Sequence, residues 1–243
     1  MRYGIAALAA YLLIIALPAH CEPAQDSYEA LFEKAIESIH WNFHNDWAFT
    51  ETESGSDGNF VGRHDPRQPD GERWTLLSID GREPTAEELR RYADRKRSEQ
   101  SENEDEEDGE IDGMVDPGSL ELVEETRDYW LLRFVPTDNG DNGSDDDMGR
   151  KVMERMNGTV KIIKDGQYLE YIDIRNTKPI RPKAGVKMKK FVTRISFGPA
   201  VAGGPIVMKS MDVAIKLSTF LVVRVDETES VQLSDFEYAG SAS

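Results

Sequence analysis

The chain has 243 residues, a formal net charge of −17 and one cysteine. So large an acidic excess lacks the basic footprint that a general nucleic-acid-binding protein needs, and a single cysteine excludes an intramolecular disulfide. A chain of this length can form one domain that is stabilised by its own hydrophobic core.

The N-terminal segment has the pattern of a secretory signal peptide. Arg2 gives a positive start, residues 5–17 form an almost unbroken apolar run, and Ala19 lies close to Cys21. The run is shorter than the roughly 20 residues that span a bilayer. We predict that residues 1–21 are a signal peptide and that the protein is exported. Lipidation of Cys21 is the alternative, and His20 counts against it because lipoprotein signals place a small residue before the cysteine.

The first elements alternate between helix and strand patterns. Residues 27–39 carry apolar side chains at three- and four-residue spacing, which predicts an amphipathic helix. Two β-prone runs, 47–50 and 59–64, flank a Gly/Ser-rich segment and predict a hairpin. A third strand is predicted over 73–79, where an Asp-Gly turn follows.

A capping box predicts a second helix. Thr85 is placed to cap this helix, and Glu88 follows three residues later. The helix is expected to end near Ser98, because residues 99–112 contain nine acidic residues and no basic one. Such a composition predicts disorder, and we interpret the region near 98–117 as an acidic insertion.

The second half of the chain is predicted to be strands in hairpin order. A second acidic insertion, near 137–147, and a short helix over 148–156 interrupt it. Local pairing without βαβ crossovers predicts an antiparallel sheet, whose edges must be closed off or covered. The predicted strands are 120–124, 129–135, 158–163, 168–175, 187–197, 206–216, 219–226 and 231–238.

No motif in the sequence predicts catalysis or a cofactor. There is no Ser-His-Asp order, phosphate-binding glycine loop or CxxC pair. His40, His44 and His64 could supply zinc ligands, but the segment lacks the glutamate of the metalloprotease helix motif. Residues 138–149 fail as a calcium loop, because glycines occupy its third and twelfth positions. We predict no metal site and no enzymatic activity.

These features together resemble the LolA/LolB-like superfamily of periplasmic lipoprotein carriers, relatives of outer-membrane lipoprotein-sorting proteins. The resemblance rests on the N-terminal helix, the strand and turn from Trp74 to Gly81, the helical insert and the strands around 158–174. Residues 73–85 (RWTLLSIDGREPT) are also similar to uncharacterised exported proteins of proteobacteria. The two acidic insertions depart from the carrier pattern.

The resemblance covers residues 27–238 and implies an α+β, mainly β fold in a single domain over 27–240. That fold is a strongly curved antiparallel sheet, an incomplete β-barrel, with the N-terminal helix and the inserted helices as a lid.

The implied function is a soluble periplasmic carrier that shields an apolar ligand such as an acyl chain or a lipoprotein. We expect the protein to be a monomer. The ligand would lie in a groove between sheet and lid, and movement of the predicted helix 27–39 would admit it. Ordinary core packing is the alternative interpretation of each groove residue. The alternative function is a non-enzymatic protein–protein interaction module of the cell envelope with a closed, dry core. The candidate groove residues are Phe49, Phe60, Trp74, Leu76, Trp130, Leu132, Ile172 and Ile174.

A basic run is the most prominent polar feature. Residues 175–194 contain eight basic residues and no acidic one. Lys187, Lys190 and Arg194 are predicted to contact anionic lipid head groups, because cations near a membrane surface are attracted to it. A solvated outer face, or masking by the protein's own acidic loops, is the alternative.

Overall fold

The computed structural model describes residues 25–103, 113–137, 152–182, 184–219 and 223–240. The predicted signal peptide, Cys21 and the calcium-like loop lie outside these residues. The described helices and strands are α1 (Gln25–Glu37), β1 (Trp47–Gly55), β2 (Gly58–His64), β3 (Trp74–Ile79), α2 (Ala86–Asn103), β4 (Glu121–Glu125), β5 (Tyr129–Phe134), β6 (Met156–Ile163), β7 (Tyr168–Asn176), β8 (Val186–Pro199), β9 (Ile206–Thr219) and β10 (Val223–Tyr238).

The ten described strands form one antiparallel sheet. Their spatial order is β3-β2-β1-β10-β9-β8-β7-β6-β5-β4, so the last strand pairs with the first. The sheet is curved and unclosed, and β3 and β4 are its edges in the described part of the chain. The predicted fold class, an α+β, mainly β incomplete barrel, is confirmed.

Both helices lie on the same face of the sheet, which we call the helical face. Ile172 on β7 and Ile195 on β8 are paired and pack in the cluster that contains α1. From Ile195 the same face continues through Met211 and Val231 to Glu53 on β1, whose carboxylate contacts Lys96 of α2. The opposite side is called the outer face.

α1 is held by the main hydrophobic core. Its apolar stripe is fully buried: Phe32 is 1% exposed and Ala35 is 0% exposed. These side chains pack on the half of the sheet formed by β4 to β8, against residues such as Leu132 and Val160. The helical periodicity of residues 27–39 therefore arises from one deeply buried face.

α2 covers the other end of the sheet. The capping box is present: the Thr85 backbone N–H donates to Glu88 Oε2 (2.8 Å), and the Glu88 N–H donates to Thr85 Oγ1 (3.3 Å). The helix packs on β3, where Tyr92 contacts Leu76 and Ile79. Gly62 leaves the space that the Tyr92 phenol occupies.

Three elements differ from the sequence prediction. α2 continues past Ser98 to Asn103, and Val115, inside the predicted acidic insertion, is 2% exposed. Strand β6 begins at Met156, so the described end of the predicted helix 148–156 leads directly into a strand. The two predicted strands 219–226 and 231–238 are one strand, β10, because β9 pairs with it without interruption from Val223 to Gln232.

Candidate functional site

The candidate site is the part of the helical face that lies between the two helices. There β8, β9 and β10 occupy the centre of the sheet, whereas α1 contacts β7 and β4 and α2 contacts β3. Cross-strand pairing places Phe191 beside Ile215, and Leu217 between Met188 and Val225. We call the resulting apolar surface the central strip: Met188, Phe191, Val213, Ile215, Leu217 and Val225.

The central strip is less covered than the core beneath α1. Its six side chains are all half-buried, whereas Leu132 and Val160, beneath α1, are 0% exposed. Removing apolar surface from water is favourable, and a contiguous exposed apolar patch often marks a binding surface. The strip is therefore a surface that can gain free energy by taking up an apolar partner.

All eight predicted groove residues lie on the helical face, but in two separate groups. Phe49, Phe60, Trp74 and Leu76 lie on β1 to β3 around α2. The other four, Trp130, Leu132, Ile172 and Ile174, belong to the core around α1. Three of the eight are half-buried, namely Phe60, Trp74 and Trp130. The remaining five are at most 6% exposed, so they pack as core.

The predicted head-group cations lie on a different surface. Lys187, Lys190 and Arg194 are paired with outer-face positions of β9, so they point away from the central strip. Lys187 and Lys190 lie near the start of β8. Arg194 is further along the strand, and its guanidinium carbon lies 3.9 Å from the ring centroid of Tyr171.

A buried polar cluster joins α2 to β1. The Nζ atom of Lys96 lies 2.7 Å from Oε1 of Glu51, 2.7 Å from Oε1 of Glu53 and 3.0 Å from Oε2 of Glu99. Arg95 adds a contact of 2.8 Å to Glu53 Oε2. The Lys96 side chain is 8% exposed. The charges are thus withdrawn from water but compensated by one another, as buried ion pairs require.

The two glutamates of this cluster have opposite pKa shifts. Burial raises the pKa of Glu51, and Lys96 only partly offsets this effect. Burial would also raise the pKa of Glu53, but hydrogen bonds from Glu51, Lys96 and Arg95 outweigh burial and hold the pKa of Glu53 low. For Lys96, the two carboxylates outweigh burial and raise the pKa. Glu53 is therefore the anion that Lys96 neutralises, and Glu51 takes up a proton more readily.

His64 is buried within an aromatic stack beside this cluster. Its ring centroid lies 4.9 Å from that of Phe49 and 4.9 Å from that of Trp74, and the residue is 0% exposed. Burial lowers the pKa of His64 to about 4, although the backbone of Trp47 acts in the opposite direction. His64 is thus a neutral packing residue near neutral pH.

A cavity of about 390 Å³ lies beside α2. Its apolar floor is formed by Phe60, Leu76, Ile79 and Tyr92, and charged side chains of both signs surround it. Arg82 in this rim is already bound by Glu88, at 2.6 Å and 3.0 Å. The cavity adjoins α2 on the side of β2 and β3.

The described residues hold neither a metal-ligand cluster nor a membrane-spanning helix. There, no three His, Cys, Asp or Glu side chains are grouped as metal ligands would be. His40 instead approaches Asp46, with 3.5 Å between Nε2 and Oδ2. No described helix combines the length and the apolar composition that crossing a membrane requires.

Comparison with known proteins gives only distant structural similarity. No protein-family model matches the chain, and no curated protein matches it. One similar solved structure is a domain from Vibrio parahaemolyticus assigned to outer membrane lipoprotein sorting, with 8% identity, a TM-score of 0.36, and coverage of 90% of this chain and 95% of that one. Another is a DUF1329 family protein from Desulfovibrio piger, with 12% identity, a TM-score of 0.34, and coverage of 90% and 94%. Similarity at this level carries no functional argument.

Proposed function

We propose that this protein is a non-enzymatic carrier that binds an acyl chain, or a ligand bearing one, on the central strip between α1 and α2. One observation carries the proposal: between the two helices, β8 and β9 present a half-buried apolar surface, which Glu227 and Glu229 border on β10. From Val213 to Leu217 this surface is roughly 13 Å long, at about 3.3 Å per strand residue. An extended apolar chain fits such a shape.

The proposal places the carrier in the periplasm, as the N-terminal pattern predicts. The residues with shifted pKa values have structural roles. Glu51, Glu53 and Lys96 bind one another beneath α2, and His64 is stacked between aromatic rings. Neither set faces the central strip, so we assign neither a catalytic role.

We assign ligand entry to movement of α2, and not to α1 as the sequence prediction had it. Moving α1 would expose side chains such as Phe32, Ala35 and Ile36, which are at most 7% exposed. α2 is held by fewer apolar side chains, with Tyr92 as its buried aromatic anchor, and a cavity already lies beside it. Opening α2 therefore exposes less apolar surface, although it must also separate Lys96 from Glu51 and Glu53.

The alternative is a protein–protein interaction module in which the strip contacts another protein. Glu227 and Glu229 on β10 are exposed and pair with Ile215 and Val213 of the strip. These charges beside the strip favour the second candidate. The two candidates differ in whether a free acyl chain binds.

A binding assay with a dansyl-labelled fatty acid tests the proposal. The wild-type protein should bind with saturable fluorescence, and Ile215→Asp should weaken binding at least about tenfold, because the ligand would cover a carboxylate. Val192→Asp is the matched control, since Val192 is also half-buried but lies on the outer face, paired with Ala214. Equal binding by the two variants, or none by the wild type, would refute the carrier role.

A further inference from the structure

Five cations gather at one end of the sheet, beside the end of the central strip. We call them the basic end: Lys178, Arg181, Lys187, Lys189 and Lys190. Four of them are exposed, and Lys187 is half-exposed. The sheet narrows here to three strands, because β7 pairs with β8 only from Val192 onward and β1 reaches β10 only at Ser230.

Backbone contacts bring the two halves of the basic end together. Ile180 and Met188 exchange two backbone hydrogen bonds, of 2.8 Å and 2.9 Å, which places Arg181 next to Lys187. The Asn176 side-chain amide donates to the carbonyls of Lys178 (2.9 Å) and Lys189 (3.5 Å). These hydrogen bonds thus bring the cations together in the fold, so the cluster is more than a run of basic residues in the sequence.

The same Asn176 connects the basic end to the proposed ligand surface. Its side-chain oxygen accepts a 2.6 Å hydrogen bond from the backbone N–H of Phe191. Phe191 and Met188 belong to the central strip, and Lys187, Lys189 and Lys190 are their neighbours in the chain. Lys187 and Lys190 point to the outer face, so the cations lie at the same end of the sheet as the strip and not on the strip itself.

The basic end lacks acidic partners in the described part of the chain. Elsewhere most cations of the sheet are ion-paired: Lys161 with Glu170, Lys164 with Glu125, and Lys216 with Asp226. None of the five basic-end cations has an acidic side chain within 4.0 Å among the described residues. Five positive charges that no described acidic side chain contacts, in a protein of net charge −17, form a local surface for a negatively charged partner.

We propose that the basic end docks on an anionic lipid surface, so that this end of the sheet, where the central strip also ends, meets the bilayer. This inference rests on the proposed carrier function and names the surface at which the ligand is exchanged. Each Lys or Arg near such a surface strengthens attraction, and the effect decays within a Debye length of about 8 Å at physiological salt. Because the rest of the protein is acidic, the anionic lipid repels it, and the protein is oriented with the basic end toward the lipid.

Sedimentation with lipid vesicles tests the docking. The protein should bind vesicles that contain phosphatidylglycerol more tightly than vesicles of phosphatidylcholine alone, and added salt should weaken the binding. Lys187→Gln with Lys190→Gln should reduce binding at least about tenfold. The matched control is Arg90→Gln with Arg127→Gln, which removes two exposed cations elsewhere and should leave binding unchanged. Because all variants share residues 1–24, their comparison isolates the basic end.

Equal vesicle binding by the two double variants would overturn the docking proposal, as would absence of binding to phosphatidylglycerol at low salt. Binding to an immobilised acidic polypeptide but not to vesicles would overturn it in favour of a protein partner. The fatty-acid assay in solution separates the two proposals: Lys187→Gln with Lys190→Gln should retain fatty-acid binding. If wild-type fatty-acid binding is absent while vesicle binding persists, the carrier proposal alone has failed.

Discussion

The ammonium group of Lys96 lies 2.7 Å from Oε1 of Glu53, and this contact joins α2 to β1 across 42 residues of sequence. Glu51, two residues away on the same face of the strand, lies at the same distance from Lys96. The contact matters to function because it holds in place the helix that borders one side of the central strip.

Removing the ammonium group should destabilise the protein. We expect Lys96→Met to lower the free energy of unfolding by about 3 kcal/mol, because Glu51 and Glu53 lose the ammonium group that they share and only Arg95 still contacts Glu53. Urea denaturation measures the change. Arg97→Met is the control, since Arg97 and its partner Asp94 are exposed, and it should change stability by less than about 0.5 kcal/mol. Equal effects of the two variants would contradict the role given to Lys96.

Neutralising the two glutamates should give different results. Glu53→Gln should cost about 2 kcal/mol, because Glu53 is held as an anion by Lys96 and Arg95. Glu51→Gln should cost less than about 1 kcal/mol at mildly acidic pH, because burial raises the pKa of Glu51 and favours its neutral form. Urea denaturation of both variants tests this order, and the reverse order would show that the charge assignment is wrong.

His64 should make stability depend on pH. The native side chain stays neutral down to about pH 4, whereas the unfolded one is protonated near its ordinary pKa of 6.5. Between these values the unfolded state binds more protons, so stability rises with pH across this window and levels off above it. Across the whole window, the free energy of unfolding should rise by an amount on the order of 3 kcal/mol.

Replacement of His64 by Phe isolates this contribution. The difference in unfolding free energy between wild type and His64→Phe should change by about 3 kcal/mol from pH 6.5 to about pH 4. If Phe does not fit the site, His64→Leu should show the same change. Other titrating groups contribute equally to both proteins and cancel. A difference that does not vary with pH would mean that His64 has the same pKa in the folded and the unfolded protein.

The two helices should differ in local stability. Amide hydrogens of α1 should exchange more slowly than those of α2, since exchange follows the free energy of local opening. α1 is held by Phe32, Ala35 and other buried side chains, whereas a cavity lies beside α2. Hydrogen–deuterium exchange with peptide mapping measures the difference. Faster exchange in α1 would reassign ligand entry to that helix.

Much of the fold could be predicted from local sequence patterns. The period of apolar residues indicated α1, Thr85 and Glu88 indicated the start of α2, and the alternating runs indicated most strands. The length of β10 could not be predicted in this way. Its middle, Glu227 to Glu229, is exposed and polar, and pairing with β9 keeps it extended.

The candidate site was less predictable, because it depends on the order of strands in space. The sequence shows that Val213, Ile215 and Leu217 alternate with polar or small residues. It does not show that β9 lies at the centre of the sheet between two helices. The cluster under α2 was missed for the same reason. Glu51 and Glu53 alternate with threonines along β1, and this pattern indicates that the two glutamates share one face of the strand. Their partner Lys96, however, is distant in the chain.

Photo-crosslinking tests the central claim most directly. A fatty acid that carries a diazirine on its acyl chain is bound, irradiated and located by peptide mapping. We predict that the label enters β8, β9 and β10 at the central strip, around Phe191, Ile215 and Leu217, and that excess unlabelled fatty acid abolishes it. Labelling that resists competition, or competable labelling only at the α2 cavity or the outer face, would contradict the account.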